Sequence, residues 1–576
     1  MKALLVVLVA CGGSQPSPPA ARSAPSTIVA SNVLRGDYAG SEACADCHAE
    51  IYKKWAASPM RNMTRDAKAA AIRAPFAGAS LTVGTDTVAM TTIDGARVMT
   101  LTAPAGTQRF RITKVVGGRY REDFVGIAAD GIEHVLPATY VFSTQSWRYK
   151  GYSVMVKERP AMSAKGVWSQ ECIACHNTLP LATYLYDELY GPGLPGYQGK
   201  LSDRLLPKRL AWPARARDEA GLARALAAEI TFLGGEPPGG GVRALLAASA
   251  TTSQRRLDGT KLVELGVGCE ACHNGSRAHA AKPELRPAYA IQSSVIGMAP
   301  PPGQAGTRAQ WINHTCSKCH TVLFSRYPWT WEGGMRNKDP GGSTTNSGEG
   351  RDFALGGCAT QMSCTTCHDP HAEDAPDKLA QLATMAGNAT CTGCHAAIAA
   401  AGKQHSHHDS VSCIDCHMPK KNMGLDYALV RYHRIGSPTD PARVTRDRPL
   451  ECALCHADKS VEALVAQMES WWGKRYDRAP LRALYGDNLD VNAIRTTLVR
   501  GKPHEQAAAI VTLGATRDRT VLPHLAPHLA HDYPLVRYYA QRALQTITGA
   551  AVAVDVNGAA ADVRRAADSW LRAQQP

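Results

Sequence analysis

The chain of 576 residues has 64 Lys and Arg against 50 Asp and Glu, a formal net charge of +14, together with 18 cysteines and 20 histidines. Its 44% hydrophobic content excludes wholesale disorder, and the lack of any apolar run of roughly 18 residues excludes an integral membrane channel. Only 6% of the residues are aromatic, so a chain with room for roughly three or four domains has few large rings to fill its cores.

The N-terminus has the features of an export signal. Lys2 precedes an apolar stretch that ends at Ala10, and the tetrad Leu8 to Cys11 resembles a bacterial lipobox, whose cysteine carries lipid. We interpret residues 1–10 as a signal peptide and Cys11 as a lipid anchor, the alternative being an ordinary secreted chain. Residues 11–38 are rich in Ser, Pro, Ala and Gly and are predicted to form a flexible tether. The expected location is the periplasm or the outer membrane of a bacterium.

Sixteen cysteines form eight Cys-x-x-Cys-His motifs, numbered one to eight along the chain. The motifs are Cys44/Cys47/His48, Cys172/Cys175/His176, Cys269/Cys272/His273, Cys316/Cys319/His320, Cys364/Cys367/His368, Cys391/Cys394/His395, Cys413/Cys416/His417 and Cys452/Cys455/His456.

This motif is typical of covalent haem c attachment. Two thiols three positions apart lie on one side of a helical turn and form thioethers to one porphyrin, and the next residue is the proximal iron ligand. Zinc ribbons and structural disulfides are weaker interpretations, because neither places a histidine after every second cysteine. The sequence therefore predicts eight covalent haems c. The remaining cysteine, Cys358, is expected to be a free buried thiol.

Between about 79 and 160 the pattern changes to alternating apolar and β-branched residues with turn signals such as Asp94-Gly95, which predicts a β-rich insert. The motifs begin 128, 97, 47, 48, 27, 22 and 39 residues apart. The short segments cannot build a separate core around each porphyrin, so we expect neighbouring haems to share walls. Residues 332–357 contain eight glycines and are interpreted as a surface loop or a ligand-lining loop.

Residues 461–576 lack cysteine and show helical spacing. Residues 504–514 and 535–545 align at an offset of 31, which favours a pair of HEAT-like repeats packed on a haem domain of residues 39–460. These repeats could dock a partner or simply cap the domain. The predicted fold class is mainly α, with the haem domain wrapped round eight haems, the β-rich insert and the helical C-terminal segment.

Twelve histidines lie outside the motifs. His504, His524, His528 and His531 fall in the helical segment and are expected to be surface or core residues. The candidate distal iron ligands are Met60, His134, His279, His314, His371, His405, His408 and His433. His407 also lies in this region, but the cluster at 405–408 is too crowded for three ligands, so one haem could keep an open position.

Several segments resemble the multihaem cytochromes related to ammonia-forming nitrite reductase and hydroxylamine oxidoreductase. They are Cys269 to His279, Cys364 to His371, the cluster His405 to His408, Cys416-His417-Met418-Pro419, and Cys47-His48 with Trp55 and Ser58-Pro59-Met60.

The resemblance covers about 40 to 460. It implies distal roles for His279 and His371, and also for His433 and one histidine of the cluster. Two features depart from it: no Cys-x-x-Cys-Lys motif is present, and Met60 stands where relatives usually carry histidine. In hydroxylamine-type relatives a tyrosine is linked to the catalytic porphyrin, and the sequence does not single out one of its 19 tyrosines.

Haem also changes the charge balance. Counting two propionates and a ferric core for each of eight haems lowers the formal charge from +14 to about +6, and full reduction lowers it to about −2. We therefore expect basic residues to pair with propionates, proton uptake to accompany reduction, and no nucleic acid to bind.

The leading interpretation is an exported electron-transfer protein that exchanges electrons with redox partner proteins of the envelope and touches the membrane only through its lipid anchor. The alternative is a multihaem oxidoreductase that acts on a small inorganic substrate at one open haem. Nitrite, hydroxylamine, tetrathionate and sulfite represent the substrate class.

Overall fold

The computed structural model describes residues 27–153, 161–191, 210–321, 348–372, 376–424 and 426–574. The predicted signal peptide, Cys11 and residues 332–347 of the glycine-rich segment lie outside the described residues. Residues 27–38, the end of the predicted tether, are packed: Ile28 bridges to Arg286, and Val33 and Tyr38 are buried. No helix in the described ranges is long and apolar enough to cross a membrane.

The predicted β-rich insert forms an antiparallel sheet in the order β2-β3-β4-β5-β6-β8-β9, with β1 against β5 and β7 against β6. The outer strands β2 and β9 approach each other, which nearly closes the sheet into a barrel. The strands are Thr64–Asp66 (β1), Ala79–Val83 (β2), Asp86–Ile93 (β3), Ala96–Ala103 (β4), Gly106–Gly117 (β5), Arg121–Ile127 (β6), Glu133–Val135 (β7), Ala138–Val141 (β8) and Ser146–Tyr149 (β9).

Local sequence explains the barrel. Buried and exposed residues alternate along β3, as expected for a strand with one face in the core. Asp94 and Gly95 both have positive φ and form the tight β3–β4 turn that matches strand twist. Because the barrel makes the N-terminal part β-rich, the fold is mixed α and β, and the expectation of a mainly α chain holds only for the rest.

The haem region consists of short helices and loops. Two two-stranded sheets pair Ala214–Ala216 with Ile296–Met298 and Lys420–Met423 with Leu429–Arg431. The helices are Ala49–Ala57, Trp168–Glu171, Ile173–His176, Tyr186–Tyr190, Glu219–Phe232, Val242–Arg256, Cys269–His273, Arg277–Ala281, Arg308–Ser317, Glu349–Ala354, Pro376–Leu382, Ala389–Thr392, Ala396–Ala401, Lys403–Ser406, Cys413–His417 and Pro441–Arg446.

The C-terminal segment is helical, as predicted. The two segments of the 31-residue offset fall on the helices Pro503–Thr516 and Pro534–Thr548, which pack against each other. The two helices approach each other so closely at Gly514 that a Cβ atom built on this glycine would lie only 2.8 Å from the Cβ of Ala543. The HEAT-like nature of this pair stays a prediction. The helices of this tail are Val461–Trp472, Arg478–Tyr485, Ala493–Arg500, Pro503–Thr516, Leu522–Leu525, Pro534–Thr548 and Ala560–Arg572.

A buried charge network joins the tail to the haem region. Arg448 pairs with Glu505 at 3.0 Å, and Lys421 pairs with Asp447 at 2.6 Å. His504 is buried in the same place, close enough to Asp447 and Glu505 for their ligating atoms to lie within 4.8 Å of one another. The two cations already balance the two carboxylates, so we interpret the cluster as a structural link between the two parts.

We predict that His504 makes folding sensitive to mild acid. Burial lowers the pKa of His504 to about 3, whereas in the unfolded chain the pKa is about 6.5. Below pH 6.5 the unfolded state therefore binds a proton that the folded state refuses, and stability falls as pH drops. Between pH 6.5 and 5 this loss amounts to about 2 kcal/mol.

Calorimetry of the loaded full-length protein at several pH values measures the effect. His504→Gln should reduce the fall in unfolding temperature between pH 6.5 and 5, and the same change at exposed His524 should not. An unchanged pH dependence in His504→Gln would contradict the prediction.

Candidate haem sites

Each motif coils into one helical turn, as its spacing predicts. The histidine amide donates to the carbonyl of the first cysteine in motif one at 3.0 Å, and the same bond occurs in motifs two, four, five, six and eight. Motifs three and seven lie within the helices Cys269–His273 and Cys413–His417. Both thiols and the imidazole thus project from one turn.

Five motif histidines face a second histidine ring. All five pairs have ring centres 6.0 to 6.2 Å apart. Each second ring belongs to a candidate distal ligand. The pairs are His48 with His279, His273 with His371, His368 with His433, His417 with His405, and His456 with His408.

This distance fits a metal held between two imidazoles. With metal–nitrogen bonds of about 2.0 Å and ring centres about 1.1 Å beyond the nitrogens, the two centres lie roughly 6.2 Å apart. Direct stacking of the rings would bring them much closer. The residues of these five sites therefore fit bis-histidine haem.

Backbone carbonyls fix the tautomer of several of these rings. Nδ1 of His279 lies 2.7 Å from the Leu285 carbonyl, and Nδ1 of His433 lies 3.0 Å from the Arg431 carbonyl. His408 and His417 make the same kind of bond. A carbonyl only accepts, so Nδ1 carries the proton and the lone pair of Nε2 is free for a metal.

Three motif histidines lack such a partner within the described ranges: no second imidazole stands at this spacing from His176, His320 or His395. The other distal candidates lie elsewhere. His134 contacts Asp130 at 3.1 Å, and His314 packs beside Trp212 with ring centres 4.6 Å apart. The structure thus brings neither histidine opposite a motif histidine.

Met60 lines the same cavity as the first motif, but His279 already stands opposite His48. Because the distal position of that iron is taken in this arrangement, a distal role for Met60 stays a prediction.

One short loop serves two iron sites. His405 and His408 face different motif histidines, and His407 between them has φ 55°, a left-handed conformation that few residues adopt. This turn directs the His407 ring away, onto Trp471 at 4.8 Å between ring centres. Trp472 Nε1 donates to the His405 carbonyl at 2.8 Å. The crowding of three histidines is resolved because only two of them face motif histidines.

Five motifs open into one cavity of about 2560 Å³. Motifs one to five line it together with His279, His371 and His433. Divided among the five motifs, this volume leaves each of them a share within the roughly 300–1,000 Å³ typical of a cofactor pocket. Neighbouring porphyrins would therefore share walls, as the motif spacing predicts, and would supply the aromatic surface that the sequence lacks.

Motif six lies apart from this shared cavity. The side chain of Cys394 is exposed, as are those of Cys47 and Cys455, and no residue of motif six lines the cavity that motifs one to five share. The physical reason is local: the two short helices on either side of this motif contain no buried residue, so no core covers the Cys394 thiol. Haem attachment at Cys394 therefore stays a prediction from the motif alone, and a porphyrin held there would have an edge in solvent.

The cysteine outside the motifs lies near this site. Cys358 is half-buried rather than fully buried, which corrects the expectation for it. Burial raises the pKa of its thiol, with a contribution from nearby Cys394. The thiol form of Cys358 is thus favoured over the reactive thiolate.

Neighbouring motifs meet through their thiols. Hydrogen bonds join Cys44 with Cys269, Cys316 with Cys364, Cys391 with Cys413, and Cys175 with Cys319.

The remaining neighbouring motifs lie near enough for their thiols to influence one another electrostatically. Burial raises the pKa of Cys272 to about 12, with a contribution from Cys316. Burial likewise raises the pKa of Cys416 to about 11, with contributions from Asp415 and Cys455, and Cys391 lies near Cys367. The motifs follow one another as one, three, four, five, six, seven and eight, and motif two branches from motif four.

A charged cluster from the barrel faces motif two. Lys150 pairs with Asp123 at 2.9 Å, and Arg121 contacts the same carboxylate at 3.3 Å. Burial alone would raise the pKa of Asp123, but Arg121 and Lys150 hold it well below its usual value. Burial lowers the pKa of His176 to about 4, and the charge of Lys150 adds to the effect.

The charged cluster and the Trp471/Trp472 contacts were not apparent from the sequence. Arg121 lies at the start of β6 and Lys150 follows β9, and neither belongs to a recognisable sequence motif. Only the folding of the barrel brings both side chains to motif two.

Two known families match segments of the chain. Residues 357–400 match the doubled CXXCH motif family and residues 402–479 match the cytochrome c552 family. Among curated proteins none matches the chain significantly. The crystal structure of the outer cell wall cytochrome OcwA aligns with a TM-score of 0.33 at 14% identity, covering 93% of this chain and 100% of that chain.

We predict that the three clustered histidines differ in their effect on iron. His405→Asn and His408→Asn should each convert one low-spin haem to high-spin, because each removes a ring opposite a motif histidine. His407→Asn should convert none, since Asn tolerates the left-handed backbone.

Electron paramagnetic resonance of the oxidised, fully loaded variants counts the high-spin haems. An additional high-spin signal, relative to the wild type, in His407→Asn, or no additional signal in either of the other variants, would show that the pairing is wrong.

Proposed function

We propose that this chain, a multihaem c-type cytochrome with a segment of the cytochrome c552 family, conducts electrons along a series of closely spaced haems. The observation that carries the proposal is the succession of neighbouring motifs from the first to the eighth, each near enough to the next for their thiols to interact. Eight haems would occupy the eight motifs, each held by two thioethers and a proximal histidine. When bound, haem c supplies a one-electron couple at each motif.

The chain's own residues hold and tune these sites. His279, His371, His405, His408 and His433 would serve as distal ligands, which would close five irons to other molecules and suit them to electron transfer. Carbonyl acceptors at Nδ1 orient several of the rings and raise their basicity. His134, His314 and Met60 remain candidates for the irons of motifs two, four and six.

We further propose that the protein is exported and held at the membrane by lipid on Cys11, with envelope redox proteins as partners. The sequence supports export in two independent ways, through the lipobox-like start and through haem attachment, which takes place outside the cytoplasm. The basic surplus then serves propionates rather than nucleic acid.

Protein-film voltammetry of the loaded protein tests the conduit. We expect reversible waves that together account for eight electrons without any added substrate, and at least five low-spin ferric haems in paramagnetic resonance. Fewer than eight electrons, or fewer than five low-spin haems, would contradict the proposal.

A second candidate function is oxidoreductase chemistry on a small nitrogen or sulfur compound at motif two. Two observations favour this motif: it branches from the main series, and in the described part of the chain no imidazole faces His176. Lys150 and Arg121 lie beside it on the shared cavity. Cations beside an open iron would attract and orient an anion such as nitrite or sulfite.

We predict that Lys150→Gln weakens anion binding at motif two about tenfold, the effect of losing about 1.4 kcal/mol of interaction. Titration of a high-spin paramagnetic resonance signal with nitrite or sulfite in the loaded protein measures the affinity. Lys165→Gln, a surface change outside the cluster, serves as the control. Only low-spin signals in the wild type would rule out this second function.

A further inference from the structure

Three motifs are preceded by a polar residue that binds another motif. Ser41, Asn313 and Asn388 each stand three positions before the first cysteine of motifs one, four and six. The side-chain oxygen of each accepts the backbone N–H of the first cysteine in a different motif. The bonds are Cys269 to Ser41 at 2.9 Å, Cys364 to Asn313 at 2.9 Å, and Cys413 to Asn388 at 2.7 Å.

The same three motif pairs also meet through their sulfurs. In each pair the two thiols that share a hydrogen bond belong to the first cysteines: Cys44 with Cys269, Cys316 with Cys364, and Cys391 with Cys413. The partners lie 225, 48 and 22 residues apart in sequence. The three pairs make the same contact although their sequence separations differ about tenfold, so the length of the connecting chain does not explain the contact.

Motifs two and four meet in another way. Their contact joins the second cysteines, Cys175 and Cys319. The residue three positions before Cys172 is Ser169, which donates to the Gln254 carbonyl instead of accepting from another motif. The three-position contact is therefore specific to three pairs among the described motifs.

We propose that Ser41, Asn313 and Asn388 are positioning residues that fix the mutual orientation of three haem pairs, at motifs one and three, four and five, and six and seven. Each acceptor sets where the partner turn begins, and the position of that turn sets where its first thioether lies. In the loaded protein the sulfurs are thioethers, so the amide contact is what remains to hold the two turns in register.

The proposal rests on the haem occupancy proposed above and goes beyond it, because it assigns the geometry of the pairs to three residues that touch no haem-ligating atom of their own motif. Asn313 illustrates the constraint. Besides accepting from Cys364, it donates to the carbonyls of Ala359 and Met362 at 3.1 and 2.8 Å. Asn313 thus binds both the first residue of motif five and the segment that immediately precedes it.

Soret circular dichroism of the oxidised full-length protein tests the proposal, because coupling between neighbouring porphyrins gives a couplet that depends on their mutual orientation. Ser41→Ala, Asn313→Leu and Asn388→Leu remove the acceptor. Each should lower the couplet amplitude by up to a third, and the triple variant should lose most of it. Asn388→Asp keeps the acceptor, removes no bond to a carbonyl, and should retain the wild-type couplet.

Asp218→Leu is the control, since Asp218 accepts the Gly221 amide at 3.0 Å at the start of a helix without a motif. A pyridine haemochrome assay gives the haem content of every variant. Unchanged couplets in the loaded Leu and Ala variants would overturn the proposal. Couplet loss at unchanged haem content in Asn388→Leu but not in Asn388→Asp would support it.

Equal losses in Asn388→Leu and Asn388→Asp, or a loss in the control, would assign these residues to general packing and overturn the proposal. A wild-type haem content below eight would instead contradict the proposed function. The two failures are therefore distinguishable.

Discussion

The structure depends on one local constraint, the helical turn that presents two thiols and an imidazole together. The turn uses five residues, and the last five motifs begin only 22 to 48 residues apart. So little chain between motifs leaves room for short helices and loops but not for separate cores. Among the described residues, the larger cores lie where motifs are sparse. The barrel and the C-terminal tail share one continuous cluster, and the helices Glu219–Phe232 and Val242–Arg256 build another.

Sequence reasoning succeeded where chemistry is local. The motifs, the strand pattern near 79–160 and the helical spacing of the tail are visible in short windows, and each appears in the structure. The distal ligands were harder, because opposite rings come from remote segments. Five candidates face motif histidines, while His134 and His314 do not, since a spare histidine carries no mark of its partner. The cluster of Lys150, Arg121 and Asp123 could not be anticipated, because it exists only once the barrel has closed.

The tail and the barrel act on the sites from opposite sides. Trp472 of the tail holds the loop that carries His405 and His408, and Tyr539 donates to the Gly424 carbonyl at 2.9 Å in the hairpin that leads to His433. The barrel instead reaches motif two with charged side chains. One part thus supports sites where two imidazoles face each other, and the other covers a site where no second imidazole stands in the described residues.

The meeting of first cysteines has a consequence for how the protein must be made. Thiols within hydrogen-bonding distance in an oxidising compartment can be oxidised to a disulfide, and a bond between Cys44 and Cys269 would consume one attachment sulfur from each of two motifs. Cys269 lies 225 residues after Cys44, so a chain that emerges progressively exposes the first motif long before its partner. Maturation is therefore safest when each turn receives its porphyrin before the fold brings the sulfurs together, which makes folding a late step of biogenesis.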